Sequence, residues 1–207
     1  MKTADDFQWP NYTADYYKRE TEDAYARGET FLIKDSTVED GKIIFRDNVH
    51  PHIKRLLEHI NEVQPTNVIE CGCGGGHNVF NILKLLHIPT VGFDLLRTQI
   101  EEMGDYLGIR ESVLGNVGVM DLCEPVGDED YAEYVFTNAV LMHLPHAKAV
   151  RFSANMGKMS RKYIRITEDL GQHDFPEIFK EAGVLRDFKI ISSEDCVMIL
   201  RRKDNAD

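Results

Sequence analysis

The sequence lacks the features that would assign it to a membrane or to an oxidising compartment. No apolar run is long enough to span a bilayer, and the first residues have neither the basic nor the apolar region of a secretory leader. Only four of the 207 residues are cysteine, and their spacing follows neither a disulfide framework nor a usual zinc site. We therefore expect a cytoplasmic protein with no membrane anchor and no metal site.

Positive charge is also scarce. The chain has 24 lysine and arginine residues against 35 aspartate and glutamate residues, which gives a net charge of -11. A protein that binds nucleic acid through its phosphates needs a basic surface, because counterion release supplies much of the affinity. Two short basic groups, within residues 158–165 and 201–203, do not reverse this balance. The composition therefore disfavours a nucleic-acid partner and favours a small molecule.

Glycine is concentrated in one place. The stretch VIECGCGGGHNVFNIL, residues 68–83, has a short β-branched strand, four glycines and the start of an amphipathic helix. Without Cβ atoms, the turn can adopt positive φ angles and approach a ligand closely. It leads into a helix N-terminus, whose unpaired N–H groups can bind polar ligand atoms. The pattern predicts a turn that holds a cofactor, and the alternative is a tight turn that is merely rich in glycine.

The spacing within this turn separates two kinds of cofactor. A dinucleotide site has the pattern G-x-G-x-x-G, and here His77 occupies the position of the last glycine. The observed pattern is E-x-G-x-G-x-G, from Glu70 through Gly72 and Gly74 to Gly76. It resembles the first motif of the class I S-adenosylmethionine-dependent methyltransferases. The resemblance implies that Glu70 faces the methionine end of the cofactor and that the three glycines lie along it.

A second acidic residue follows at an informative distance. Asp94 ends the apolar stretch at residues 90–94, and a nucleoside ligand needs a carboxylate for its ribose hydroxyls about 20 residues beyond the first glycine. The resemblance implies this role for Asp94, with Leu95 next to it in the cofactor site. The alternative is that Asp94 caps the helix predicted at residues 97–107.

The resemblance also covers the ends of the next two predicted strands. Met120 and Asp121 lie near the end of an apolar stretch at residues 113–122, where the family often places an acid against the adenine amino group. Asp121 could equally cap the following turn. Asn138 follows the strand predicted at residues 134–137. Open α/β sheets bind ligands at the carboxyl ends of their strands, so we place Met120, Asp121 and Asn138 in the cofactor site.

Two residues are candidate catalytic groups. His143 lies in a VLMHL segment similar to one that is common in small-molecule methyltransferases, and an imidazole can accept a proton near neutral pH. A histidine that only packs in the loop is the alternative. Glu168 follows the strand predicted at residues 163–167, where its carboxylate could hold or deprotonate the acceptor. A solvated turn would have a similar sequence.

Three residues are candidates for the acceptor pocket or a lid over it. His173 lies in the loop beyond Glu168, and Asp174 after it is a plausible cap for the next helix. Tyr12 and Tyr16 belong to the N-terminal segment, and segments at this position often cover the cofactor in the resembled family. Ordinary packing is the alternative for each tyrosine.

The order of elements predicts an α/β fold with a doubly wound, mostly parallel sheet of seven strands and an antiparallel last strand. The strands are predicted at residues 67–71, 90–94, 113–118, 134–137, 163–167, 186–192 and 196–201. Residues 1–66 form a separate N-terminal extension, with helices at 13–28 and 48–63 and a hairpin of 31–33 with 43–45 around residues 39–41. Residues 67–207 form the domain that binds the cofactor.

These observations lead to one leading expectation. The protein is expected to be a methyltransferase that uses S-adenosylmethionine and a small-molecule acceptor, such as a sugar, a nucleotide sugar or a specialised metabolite. The alternatives are a methyltransferase of RNA or protein, and a catalytically silent partner protein that binds the cofactor. We expect a monomer or a homodimer.

Overall fold

The computed structural model describes residues 14–127, 131–169 and 171–203, with side chains from residue 18 onward. Within these ranges the helices and strands follow this order: α1 (Ala14–Ala26), β1 (Thr37–Glu39), β2 (Lys42–Ile44), α2 (Pro51–Val63), β3 (Val68–Cys71), α3 (His77–Leu86), β4 (Thr90–Asp94), α4 (Arg97–Leu107), α5 (Arg110–Val113), β5 (Val117–Val119), β6 (Ala132–Asn138), α6 (His146–Met159), β7 (Ser160–Thr167), α7 (Phe175–Glu181), β8 (Phe188–Glu194) and β9 (Val197–Arg202). Short 3₁₀ helices lie at Leu141–His143 and Val184–Arg186.

Seven strands form one mixed sheet in the order β5-β4-β3-β6-β7-β9-β8. β3, β6 and β7 run parallel, as do β4 and β5, whereas β9 is antiparallel to both β7 and β8. β9 thus lies between the two strands that precede it in the chain. The predicted α/β fold, with seven strands and an antiparallel C-terminal hairpin, is confirmed.

The chain forms two compact units. Of the described residues, the N-terminal unit contains 14–66 and 73–119, and the C-terminal unit contains 67–72 and the residues from 120 to 203. This division does not test the predicted domain boundary at residue 66. The two units divide within the glycine turn, between Gly72 and Cys73.

Each unit has a core that its sequence pattern explains. In the N-terminal unit, α2 buries its apolar face through Ile53, Leu56, Leu57 and Ile60, as the helical spacing predicts. In the C-terminal unit, β6 is a nearly continuous buried run, as expected for a strand that is covered on both faces of a sheet.

Two predictions about the N-terminal unit are wrong. The strand predicted at residues 113–118 is only Val117–Val119, because Val113 ends the short helix α5 and packs there against Cys73 and Val79. The hairpin is formed by β1 and β2 around Asp40 and Gly41, which both have positive φ, as a type I′ turn requires. Residues 31–33 are not part of that hairpin.

The C-terminal hairpin is also shifted slightly from its prediction. The turn lies at Asp195 and Cys196, both with positive φ, rather than at residues 193–195. In residues 14–127, 131–169 and 171–203, no helix combines the length and apolar character needed to cross a bilayer.

Candidate functional site

The glycine turn between β3 and α3 has the backbone that its composition predicts. Gly72 and Gly76 have φ angles of 80° and 78°, in the left-handed region that residues with a Cβ rarely adopt. A Cβ at Gly72 would collide with Val140, and one at Gly75 would lie 2.6 Å from Cβ of Met103. Glycine is therefore required here by both conformation and space.

Asp94 is bound directly to this turn. It ends β4, where its Oδ2 accepts the N–H of Gly74 at 2.9 Å and its Oδ1 accepts the N–H of Leu96 at 3.0 Å. Burial raises the pKa of Asp94, and these backbone hydrogen bonds oppose that shift. The helix cap of α4 is Leu96, so Asp94 does not cap that helix. The Asp94 side chain is partly exposed, so the lone pairs that these bonds leave open can reach a ligand.

The residues that flank the turn are buried. Glu70 is 1% exposed and lies in β3, in register with Phe136 of β6. Burial, followed by the charge of Glu70, raises the pKa of Cys71. His77 starts α3 and is 3% exposed; burial, followed by the charge of His50, lowers its pKa to about 4. His77 is thus neutral at physiological pH.

A segment that precedes β3 packs on the first turns of α3. The ring of Phe31 stacks on His50 with centroids 5.1 Å apart, and it meets His77 edge-on at 5.6 Å. Asn81 of α3 accepts the N–H of Ile33 at 2.9 Å and donates to the carbonyl of Phe31 at 2.8 Å. Residues 31–33 were predicted to pair with residues 43–45 in a hairpin. Instead, their backbone is hydrogen-bonded to the side-chain amide of Asn81.

Sequence reasoning missed Phe31, His50 and Asn81. The only available signal was Asn81, a polar residue on the apolar face of α3 that is fully buried in the structure.

Tyr12, a candidate lid residue, lies outside the described residues. Tyr16 lies in α1, and its side chain is also outside the description. The lid assignment of both tyrosines stays a prediction.

In the C-terminal unit, Asp121 closes a turn. It is exposed, its Oδ1 accepts the N–H of Cys123 at 2.8 Å, and its carbonyl accepts the N–H of Glu124 at 3.1 Å. These bonds correspond to the capping alternative and leave a ligand role for Asp121 untested. Met120 beside it is partly buried, and Leu95 after β4 is 44% exposed. Their cofactor roles stay predictions.

The loop after β6 contains two of the predicted site residues. Asn138 ends β6, Ala139 has a φ of 55°, and His143 is the partly buried last residue of a 3₁₀ helix. Glu168, at the end of β7, is 2% exposed, and its carboxylate accepts N–H groups from this loop. Burial raises the pKa of Glu168 to about 7, although these hydrogen bonds act in the opposite direction.

His173 has structural contacts on both of its sides. Its Nε2 lies 3.0 Å from the carbonyl oxygen of Leu144, and its ring packs edge-on against Phe175. Asp174 accepts the N–H of Glu177 at 3.1 Å and so caps α7, as the sequence suggested. An acceptor role for His173 stays a prediction.

Comparison with known proteins adds the fold but no close relative. No protein-family model and no curated protein matches the sequence. Magnesium protoporphyrin IX methyltransferase from Synechocystis PCC 6803, solved with bound S-adenosylmethionine, matches with a TM-score of 0.56 and 16% identity, over 73% of this chain and 78% of that one. The fold is that of the S-adenosylmethionine-dependent methyltransferases.

Two other solved structures have the same methyltransferase fold. The methyltransferase domain of bacterial CtHen1 matches with a TM-score of 0.58 and 14% identity, over 73% of this chain and 96% of that one. A protein from Galdieria sulphuraria that has been assigned as a sarcosine dimethylglycine methyltransferase matches with a TM-score of 0.57 and 10% identity, over 86% of this chain and 74% of that one. The methyltransferase fold is thus shared across proteins whose names indicate different acceptors.

Proposed function

We propose that this protein binds S-adenosylmethionine and transfers its methyl group to a small-molecule acceptor. The observation that supports the proposal most directly is the hydrogen bond between Asp94 and the N–H of Gly74. It joins an acid at the end of one strand to the glycine turn that follows another, and a sulfonium nucleoside needs both groups together.

The residues present fit the cofactor. At Gly72 and Gly75 a side chain would collide with neighbouring residues, and glycine keeps the turn backbone free of Cβ atoms there. In the proposed site, Glu70 faces the methionine amine, and Gly74 and Gly76 lie along the cofactor. Asp94 binds the ribose hydroxyls with the lone pairs that its internal hydrogen bonds leave open.

Other residues have supporting roles in this proposal. Leu95, Met120, Asp121 and Asn138 contact the nucleoside. His143 removes a proton from the acceptor, since an imidazole is effective at this near neutral pH.

The chemistry asks little of the chain beyond alignment. When bound, the cofactor supplies a methyl group that is already activated by its sulfonium. The chain then has to hold the acceptor in line with that methyl group, which contributes about 7–11 kcal/mol in well-oriented reactions. Proton removal by His143 adds a smaller contribution.

The acceptor is proposed to be small because the chain is acidic. A net charge of -11 opposes binding to a polyanion, whereas a sugar, nucleotide sugar or specialised metabolite is compatible with it. His173, Tyr12 and Tyr16 are the residues that we propose to shape the acceptor pocket. The protein is proposed to act in the cytoplasm as a monomer or homodimer.

The test is transfer of labelled methyl groups in a cell extract. The protein is incubated with methyl-labelled S-adenosylmethionine and an extract that has been separated into small-molecule, RNA and protein fractions. Label in the small-molecule fraction, located by mass spectrometry, is the expected result. Label in RNA or protein contradicts the proposed acceptor class. Binding of the cofactor with no transfer to any fraction favours a silent partner protein.

A further inference from the structure

Glu168 is a buried carboxylate with an unusual set of partners. Its Oε1 accepts the N–H groups of Val140 and Leu141, and its Oε2 accepts the N–H of Met142, each at 3.1 Å. These are the consecutive amides at the start of the 3₁₀ helix Leu141–His143, which have no partner within a helix so short. The carboxylate therefore serves as the N-terminal cap of that helix, supplied from another strand.

The end of β7 holds the same loop through its backbone as well. The carbonyl of Thr167 accepts the N–H of Ala139 at 2.8 Å, and the N–H of Asp169 lies 3.3 Å from the sulfur of Met142. Ala139 has a φ of 55°, which is rare for a residue with a Cβ and persists only when surrounding contacts impose it. Thr167 binds Ala139 itself, and Glu168 binds the N–H groups of the three residues that follow it.

The loop after β6 also packs against the glycine turn. A Cβ built on Gly72 would overlap the side chain of Val140, so Val140 lies directly against the backbone of Gly72. Val140 is also one of the three residues whose N–H groups bind Glu168. A single carboxylate is therefore connected through one residue to the first glycine of the E-x-G-x-G-x-G motif.

We propose that Glu168 is a positioning residue, whose carboxylate fixes the Val140–Met142 amides so that Val140 packs on Gly72 and holds the glycine turn in the conformation that binds the cofactor. This assignment rests on the proposed function, and it differs from the catalytic role that the sequence suggested for Glu168. It places Glu168 behind the binding surface, where it acts through Val140.

The chemistry of the side chain explains why glutamate is needed. In its ionised form, above its pKa of about 7, the glutamate side chain only accepts, and its two oxygens are shared among the three N–H donors. A glutamine would direct its own NH₂ at one of the three donors, so it can keep only part of the set. An aspartate is shorter by one methylene, so its oxygens cannot reach all three amides.

The experiment uses the full chain and the variants Glu168→Gln and Glu168→Asp, with Asp169→Asn as the matched control. Asp169 is the neighbouring carboxylate, and it is exposed. Amide hydrogen exchange reports the protection of Val140, Leu141 and Met142, and isothermal titration with S-adenosylhomocysteine reports the affinity. Both Glu168 variants are expected to exchange these amides faster and to bind roughly tenfold more weakly, the factor that corresponds to one lost hydrogen bond. Asp169→Asn is expected to match the wild type.

A double-mutant cycle with Val140→Ala separates positioning from general loss of stability. If Glu168 acts through Val140, the effect of Glu168→Gln on affinity shrinks when Val140 is already truncated, because the connection to Gly72 has been removed. Equal effects in both backgrounds overturn the positioning role.

The remaining outcomes are distinct. Unchanged exchange of the three amides, or unchanged affinity, in a folded Glu168→Gln variant overturns the positioning role alone. Absence of binding to both S-adenosylmethionine and S-adenosylhomocysteine by the wild type overturns the proposed function, and the positioning role with it.

Discussion

Asp94 and Glu168 occupy equivalent places in their own units, yet their surroundings differ. Each carboxylate follows or ends a strand of the sheet, and each accepts backbone N–H groups from a nearby loop. Asp94 accepts N–H groups with both oxygens and is still partly exposed, whereas Glu168 accepts three N–H groups and is only 2% exposed. The first keeps acceptor sites for a ligand, and the second is occupied by its own protein.

The comparison shows that an acid at the carboxyl end of a strand can serve either of two purposes. Such an acid lies where open α/β sheets bind their ligands, and it also lies where loops begin and leave N–H groups unpaired. The number of N–H groups that it accepts, together with its exposure, separates a binding group from a group that holds a loop. Four predictions test this distinction, in order of decreasing expected effect.

The largest effect is expected from removal of Glu168. Glu168→Ala leaves the N–H groups of Val140, Leu141 and Met142 without this acceptor, one in a buried and two in partly buried positions, and each such group costs up to about 1–3 kcal/mol. We therefore expect a loss of about 3 kcal/mol or more in the free energy of unfolding, measured by urea denaturation. Asp94→Ala should lose only about 1–2 kcal/mol, because water can reach its site. Equal losses in the two variants would remove the distinction.

The second prediction concerns the cofactor. Asp94→Ala is expected to weaken S-adenosylmethionine binding by about 1–3 kcal/mol, because the ribose hydroxyls lose their charged hydrogen-bond partner. Isothermal titration measures the change, and Asp169→Asn serves as the control. An unchanged affinity in the Asp94 variant would falsify the ribose assignment.

The third prediction uses pH. Folded Glu168 keeps its proton up to a pH of about 7, its raised pKa, whereas the unfolded chain releases this proton from about 4.5. The folded state binds more protons in this window, so the contribution of Glu168 to stability falls as pH rises from 4.5 to 7.

His77 of the N-terminal unit should have the opposite slope. Its pKa is lowered to about 4, so between pH 6.5 and 4 the unfolded chain binds a proton at His77 that the folded state does not bind. The contribution of His77 is therefore present above pH 6.5 and is lost as pH falls towards 4. Urea unfolding between pH 4 and 7.5 should show that Glu168→Gln and His77→Gln each remove their own slope. A shared direction of change in both variants would contradict these assignments.

The smallest effect is expected at Asp169. Among the described residues, this exposed carboxylate is hydrogen-bonded to Gly171 and Gln172 of its own turn. Replacement by asparagine should change the free energy of unfolding by less than about 0.5 kcal/mol, as is usual for a surface position. A loss comparable with that of Glu168→Ala would mean that the whole turn, rather than one carboxylate, holds the loop after β6.

Local pattern was enough for much of the fold. The β4 strand and the α4 helix have the predicted bounds, since both are marked by apolar periodicity and clear ends. Pattern failed at β5, where the apolar Val113 fits a helix as well as a strand and is helical because it packs on Cys73 and Val79. Short apolar runs do not distinguish the two structures until their neighbours are known.

The candidate site divides in the same way. The sequence predicted that Asp94 belongs to the same site as the glycine turn, because a strand, a turn and a carboxylate occur at a characteristic spacing along the chain, but the hydrogen bond to Gly74 is seen only in the structure. The docking of residues 31–33 on Asn81 was not, since it joins segments about 50 residues apart through one amide. The three hydrogen bonds of Glu168 could not be predicted from the sequence either, because its partners are backbone N–H groups, which every residue except proline has.

By itself the sequence determined where the turns and strand ends lie and which of them carry acids, because glycine content, apolar period and side-chain charge are properties of the local chain. Only the tertiary structure decided which of those acids remains open to a ligand. That outcome depends on how many backbone donors the folded loops direct at each carboxylate and on how much water can still reach it. Neither quantity can be predicted from the residues that are next to Asp94 or Glu168 in the sequence.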